Sequence, residues 1–156
     1  MKPPPQRSES IGTACRFVLL FHRDPRGDHY DLMIQAAALH QERRGDPSGP
    51  GEAVVDSADE RLATWKMSDP PDSIRGVPLA CQRIADHRAV YLSYEGPISG
   101  DRGTVTRYDS GQCEIEKLVS GDCILLRFFG QRLHGRFQLE HVADSDAEWV
   151  LSVVAD

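Results

Sequence analysis

Apolar residues in this chain gather in short runs cut apart by Gly, Pro, Asp and Ser, and no long stretch repeats at the 3.6-residue period of an amphipathic helix. The runs fall at residues 16–21, 29–39, 61–67, 79–85, 89–94, 104–108, 114–119, 123–129, 136–142 and 149–153, and they are rich in β-branched and aromatic side chains. Between them lie groups with hairpin chemistry: Asp69-Pro70-Pro71-Asp72, Gly96-Pro97, Ser99-Gly100-Asp101, Asp109-Ser110-Gly111 and Ser120-Gly121-Asp122. About ten short strands in one domain predict an all-β fold, a compact antiparallel β-barrel with short turns and little helix, because closure removes exposed sheet edges.

The length of 156 residues is enough for one domain with a sizeable core. Residues 1–15, which include three consecutive prolines, read as a flexible N-terminal arm rather than a secretory signal, and residues 16–156 as the single folded domain. Residues 43–51, rich in Gly, Pro and Ser, predict a surface loop. The apolar runs at 17–21 and 123–126 are far too short to cross a bilayer, so no membrane partner is expected. Cys15, Cys81, Cys113 and Cys123 form no CxxC pair, which predicts buried free thiols in a reduced, cytoplasmic compartment. The net charge of −6 argues against a protein that coats nucleic acid non-specifically, since that affinity comes from Lys and Arg displacing counterions. It leaves room for an enzyme whose local positive charge is a bound metal.

The most informative stretch runs from His22 through a turn-forming segment, Arg23 to Asp28, to His29-Tyr30-Asp31-Leu32. Alternate residues of a strand share a face, so His29 and Asp31 project together, and a hairpin at 23–28 brings His22 beside them. Two imidazoles and one carboxylate suit Mn2+, Fe2+, Co2+ or Zn2+ better than Ca2+ or Mg2+, and such a set leaves coordination positions open for water and substrate. The same pattern also serves as a hydrogen-bonded polar pair with no metal. A second group, Arg83, Asp86, His87 and Tyr91, places Arg83, His87 and Tyr91 on one face if the strand is continuous, where they can meet a phosphate and its leaving oxygen. Trp65 and Trp149 sit in apolar alternation and read as core. The segment Gln131 to Arg136 is a basic turn, able to follow a nucleic-acid backbone or simply to face water. His40 and His141 carry no assignment.

Taken in order, His22, His29-Tyr30-Asp31-Leu32, Trp65, Asp86-His87 with Tyr91, Tyr94-Glu95-Gly96 and Gly103-Thr104-Val105 resemble the 3′-phosphoesterase domain of bacterial DNA ligase D. The tail, Phe128-Phe129-Gly130 through Leu133-His134-Gly135-Arg136-Phe137 and then Trp149 to Leu151, fits the same pattern, so the resemblance covers roughly residues 16 to 153. It implies a compact β-barrel, and with neither a polymerase nor a ligase module in the sequence the expectation is a stand-alone version of that domain. It also implies a manganese-dependent enzyme (Mn2+, or a related transition ion such as Zn2+ or Co2+) that removes a 3′-phosphate or a 3′-ribonucleotide from DNA ends during break repair. By the same resemblance His22, His29 and Asp31 are metal ligands, and His87 and Tyr91 are catalytic contacts to the scissile phosphate; Arg83 and Lys66, which the family motif does not supply, are the candidates for a further phosphate contact. The expected partners are DNA 3′ ends and a separate ligase or end-binding repair protein.

Departures from the family concentrate at the phosphate. Met33 stands where an arginine follows His-Tyr-Asp-Leu, and Leu20 stands where a glutamine precedes the first histidine. Leu79 replaces a basic residue upstream of His87, and Lys66-Met67-Ser68-Asp69 displaces a lysine after Trp65. Such losses weaken anion binding more than metal binding. They motivate an alternative, a catalytically weakened or inactive barrel that binds DNA ends or a repair partner. A two-His-one-carboxylate iron oxygenase matches the ligand types but has no recognisable cosubstrate site.

Overall fold

A computed structural model describes residues 9–36, 39, 61–119 and 122–155, with side chains from Ala14 onward in the first strand. Within them the chain forms β1 (Glu9–Arg23), β2 (His29–Gln35), β3 (Arg61–Met67), β4 (Leu79–Arg88), β5 (Gly96–Pro97), β6 (Thr104–Val119), β7 (Cys123–Phe129), β8 (His134–His141) and β9 (Glu148–Val154). All pairings are antiparallel, in the order β1-β2-β3-β4-β9-β8-β7-β6, and β1 pairs back with β6 to close an eight-stranded barrel. The two-residue β5 only fringes β6. The all-β antiparallel barrel expected from the sequence is the fold observed.

Alternation along the strands builds two apolar clusters. The inner one takes residues from all eight barrel strands, including Phe17, Leu19, Leu32, Trp65, Leu126, Phe128, Leu139 and Leu151. Trp65 and Trp149 both belong to it, edge to face at 5.5 Å, as core tryptophans should be. The second cluster, Val18, Leu20, Met33, Leu62 and Val105, lies on the opposite, outer face of β1, β2, β3 and β6. The chain after β4 folds over it with Ala89, Tyr91, Leu92, Tyr94 and Ile98. Covering on both sides explains why Phe17 to Leu20 and Asp31 to Ile34 are buried without interruption, a pattern met in strands that have no solvent face.

Several boundaries differ from the sequence reading. β1 begins at Glu9, so residues 9–15 of the expected arm are strand, paired with β6; residues 1–8 lie outside the described residues, as do the expected loop at 43–51 and His40. Residues 89–92 form a 3-10 turn rather than a strand. The stretches at 104–108 and 114–119 are halves of one strand, β6, which runs through the expected turn at Asp109 to Gly111. Asp109 is buried and spends its carboxylate elsewhere: Oδ1 accepts the Gln131 N–H at 3.2 Å, and Oδ2 accepts those of Arg132 at 2.9 Å and Leu133 at 2.7 Å. A turn-forming residue type thus braces the β7–β8 connection from inside a strand. Cys15, Cys81 and Cys113 are buried free thiols, and Cys123 is half-buried. No described helix is long and apolar enough to cross a membrane.

Candidate functional site

Register puts His22 directly across from His29, and Asp31 two residues farther along β2 on the same face. Nδ1 of His22 and Nε2 of His29 face each other at 3.2 Å. The Asp31 carboxylate closes the triangle, Oδ2 at 3.7 Å from His22 Nδ1 and Oδ1 at 3.4 Å from His29 Nε2. Donor atoms about 2.1 Å from one shared ion lie about 3.0 to 3.4 Å apart at octahedral or tetrahedral angles; the nitrogen pair and the His29–Asp31 contact fall in that range, and the His22–Asp31 contact, made by the other carboxylate oxygen, is longer.

Both rings are oriented from behind. Nε2 of His22 lies 2.7 Å from the Arg102 carbonyl and Nδ1 of His29 lies 3.2 Å from the Gly27 carbonyl. A carbonyl accepts only, so each of these nitrogens carries the proton and donates, which leaves lone pairs on the two nitrogens that face each other. Asp31 is 3 % exposed and its buried Oδ1 accepts no hydrogen bond among the described residues. Lone-pair groups that face one another with no donor between them are an arrangement that added positive charge relieves. A proton does so partially: the Asp31 carboxylate raises the His22 imidazole above its ordinary value. Burial pushes Asp31 up, but the contacts with His22 and His29 outweigh it and hold the carboxyl below the usual range.

Asp24 is a further carboxylate close by, and His22, Asp24 and His29 offer ligand atoms within 4.8 Å of one another. It approaches His22 only through Nε2, at 4.0 Å, the nitrogen already given to Arg102, and it caps its own turn by accepting the Arg26 N–H at 3.0 Å. Asp31, not Asp24, is the carboxylate that approaches the two facing nitrogens. The approach of the 102–103 segment depends on Gly103, at φ +89°, where a Cβ would overlap the Arg23 carbonyl oxygen.

The other residues singled out in the sequence divide. Lys66 is the direct cross-strand partner of Asp31, on the same outer face. His87 pairs with Leu62 of the outer cluster, is near enough to act electrostatically on Asp31, and packs edge to face with Tyr91 at 5.7 Å. Tyr91 in turn lies on the outer cluster. Arg83 is a correction. Register shifts between Leu62↔His87 and Thr64↔Ile84, so one extra residue of β4 is taken up in a bulge and the parity that would align Arg83 with His87 is lost. Arg83 instead pairs with Trp65, lays its guanidinium 4.6 Å over that ring, donates to the Leu39 carbonyl at 3.0 Å and meets Asp86 at 3.5 Å. The basic turn after β7 is also structural in part, with Arg132 over the Tyr108 ring at 4.5 Å and Arg136 on Glu116 at 2.9 Å. His141 lies 3.6 Å from Asp122 and packs on Trp149.

Leu20 and Met33, the positions where the resemblance leads one to expect a glutamine and an arginine, are fully buried in the outer cluster between the triad and Tyr91. The floor there is apolar. Sequence reasoning missed this consequence and also the part played by the Arg102 and Gly27 carbonyls, since backbone partners leave no mark on residue type. No family model matches the chain, and no curated protein is significantly similar to it.

Proposed function

We propose that this protein is a metal-dependent phosphoesterase acting on phosphorylated or ribonucleotide-ended 3′ termini of DNA, with His22, His29 and Asp31 holding the metal. The observation that carries the reading is the close approach of two imidazole nitrogens and a buried carboxylate, one of whose oxygens has no donor among the described residues, on a pair of adjacent strands. Two nitrogens and one carboxylate favour Mn2+, Zn2+ or Co2+. Bound there, such an ion supplies Lewis acidity toward a phosphoryl oxygen and lowers the pKa of a water.

The chain's own groups account for the rest. The Arg102 and Gly27 carbonyls hold both imidazoles in the tautomer that ligation needs. Lys66, across from Asp31, offers an ammonium to a phosphate oxygen at the triad. His87, with Tyr91 packed against it, stands on the same face to hand a proton to the departing oxygen. The test uses purified protein with Mn2+ on a primer-template ending in a 3′-phosphate or one ribonucleotide. A product that is lost with EDTA and with His87→Ala supports the reading; absence of product, where a verified phosphoesterase works, refutes it.

A second reading is favoured by the apolar floor. With Leu20 and Met33 buried under Tyr91, the triad has fewer cations around it than phosphate hydrolysis ordinarily uses, which suits a barrel that binds DNA ends, or a repair partner, without turning them over. Fluorescence anisotropy with labelled ends separates the two: binding without turnover, unchanged in His87→Ala, selects the second.

A further inference from the structure

A row of polar residues leaves the triad and crosses the outer face of the barrel. Asp31 of β2 pairs with Lys66 of β3, Lys66 with Gln82 of β4, and Gln82 with Glu148 of β9. Directly paired residues share a face, and neighbouring strands lie about 4.8 Å apart, so the row runs straight for about 14 Å. A cavity of about 570 Å³ lies along it, opening beside His29, floored by Lys66, Gln82 and Glu148 and rimmed by Arg26. Its volume suits a small molecule of nucleotide size.

Lys66, Gln82 and Glu148 are all exposed. Among the described residues, none of their side chains is held in an ion pair or hydrogen bond; Glu148 is engaged only through its backbone. Three unspent polar side chains of different character, in one line along a trough that starts at a metal-type site, are laid out for a ligand of matching polarity. Going outward, the ligand must present an anion to Lys66, mixed donors and acceptors to Gln82, and donors to Glu148, whose carboxylate only accepts.

We propose that this trough binds the nucleoside attached to the reacting phosphate, with Lys66 on a phosphate oxygen and the Gln82–Glu148 pair reading a donor-bearing base edge, best matched by guanine. Guanine presents two adjacent donors, N1–H and the exocyclic amine, which fit a carboxylate's two oxygens, whereas uracil has a single N–H flanked by two carbonyls that the carboxylate repels. The distance agrees, because a base edge lies on the order of 10 Å from its own phosphorus, within reach of side chains two and three strands from Asp31. The orientation, phosphate toward Asp31, rests on the phosphoesterase reading; the selection of the base by Glu148 does not.

The experiment is calorimetric titration of guanosine 3′-monophosphate and of uridine 3′-monophosphate into the full chain in EDTA, where no metal-dependent turnover occurs, with amide shifts followed by NMR. Guanosine 3′-monophosphate should bind about tenfold more tightly, as one bidentate contact discriminates, with shifts at Lys66, Gln82 and Glu148. Glu148→Gln should bring the ratio to about one at an unchanged melting temperature. Lys66→Ala should weaken both nucleotides by the same factor. Equal affinities for the wild type, a ratio that survives Glu148→Gln, or shifts gathered elsewhere overturn the proposal. Failure of Mn2+-dependent cleavage on a primer-template, measured separately, removes the phosphoesterase reading and leaves this result standing.

Discussion

Nδ1 of His22 and Nε2 of His29 face each other at 3.2 Å, and each ring donates its far nitrogen to a backbone carbonyl, that of Arg102 or Gly27. Two hydrogen-bond acceptors at that separation repel unless something positive lies between them. The Asp31 carboxylate supplies the third acceptor, and the chain has oriented all three side chains in advance.

Removing one of the three proposed ligands should therefore affect metal binding more than the fold. Asp31→Asn is expected to weaken Mn2+ or Zn2+ binding at least a hundredfold by calorimetry, because a neutral amide replaces the only anion among the three ligands. Without metal its melting temperature should stay near that of the wild type above the raised His22 value and fall below it, where the variant lacks the carboxylate that the imidazolium faces. Tight stoichiometric binding retained by this variant and by His29→Ala would place the metal elsewhere.

On the proposed function, proton and metal compete for His22. In the metal-free protein the imidazole is raised by Asp31 above its ordinary value of about 6.5. Proton binding thus stabilises the metal-free fold below the unfolded value, and that contribution is lost as pH rises through the folded one. Metal needs the deprotonated ring. Apparent metal affinity should be level above the raised value and fall about tenfold per pH unit below it. A titration of affinity against pH with no inflection above the ordinary histidine value contradicts this.

Gly103 lets the loop before β6 pass close to the end of β1. In Gly103→Ala the added Cβ would overlap the Arg23 carbonyl oxygen at a positive φ, so the 102–103 segment must retreat and take the Arg102 carbonyl from His22. Expected losses are about 1–3 kcal/mol of stability and about 10- to 100-fold in metal affinity, the usual consequence of losing a ligand's supporting hydrogen bond. Chemical denaturation and metal calorimetry on the same variant read both.

Asp109 is a purely structural counterpart. Its carboxylate takes three backbone N–H groups of the turn after β7, and Asp109→Ala leaves that of Leu133 without a partner in a buried setting and those of Gln131 and Arg132 nearer to solvent. A cost of about 1–3 kcal/mol is expected, with little change in metal affinity, since the carboxylate is given to the turn after β7 and not to the triad. Asp109→Asn, which keeps one acceptor oxygen, should lose less. Equal stability of Asp109→Ala and wild type in urea would dispose of the argument.

Much of this protein was legible along the chain. Alternation, turn residues and two tryptophans in apolar register determine a β-barrel with Trp65 and Trp149 in its core, because a strand that buries one face must repeat every second residue. The spacing of His29 and Asp31 alone placed them on one face, and a turn-rich segment of matching length returned the chain to them from His22.

Other features were decided only by the tertiary structure. Nothing in the residue order around Arg83 announces the bulge that turns it onto Trp65 and away from His87, since a bulge arises from how two strands fit, not from either alone. Asp109 looks like a turn residue, and only the approach of the β7–β8 connection makes a strand its better place. Leu20 and Met33 could have faced water; it is residues 89–98 folding back that bury them and line the site with hydrocarbon. Local periodicity is a property of the backbone and can be read residue by residue, whereas which neighbour a side chain meets depends on segments far apart in sequence.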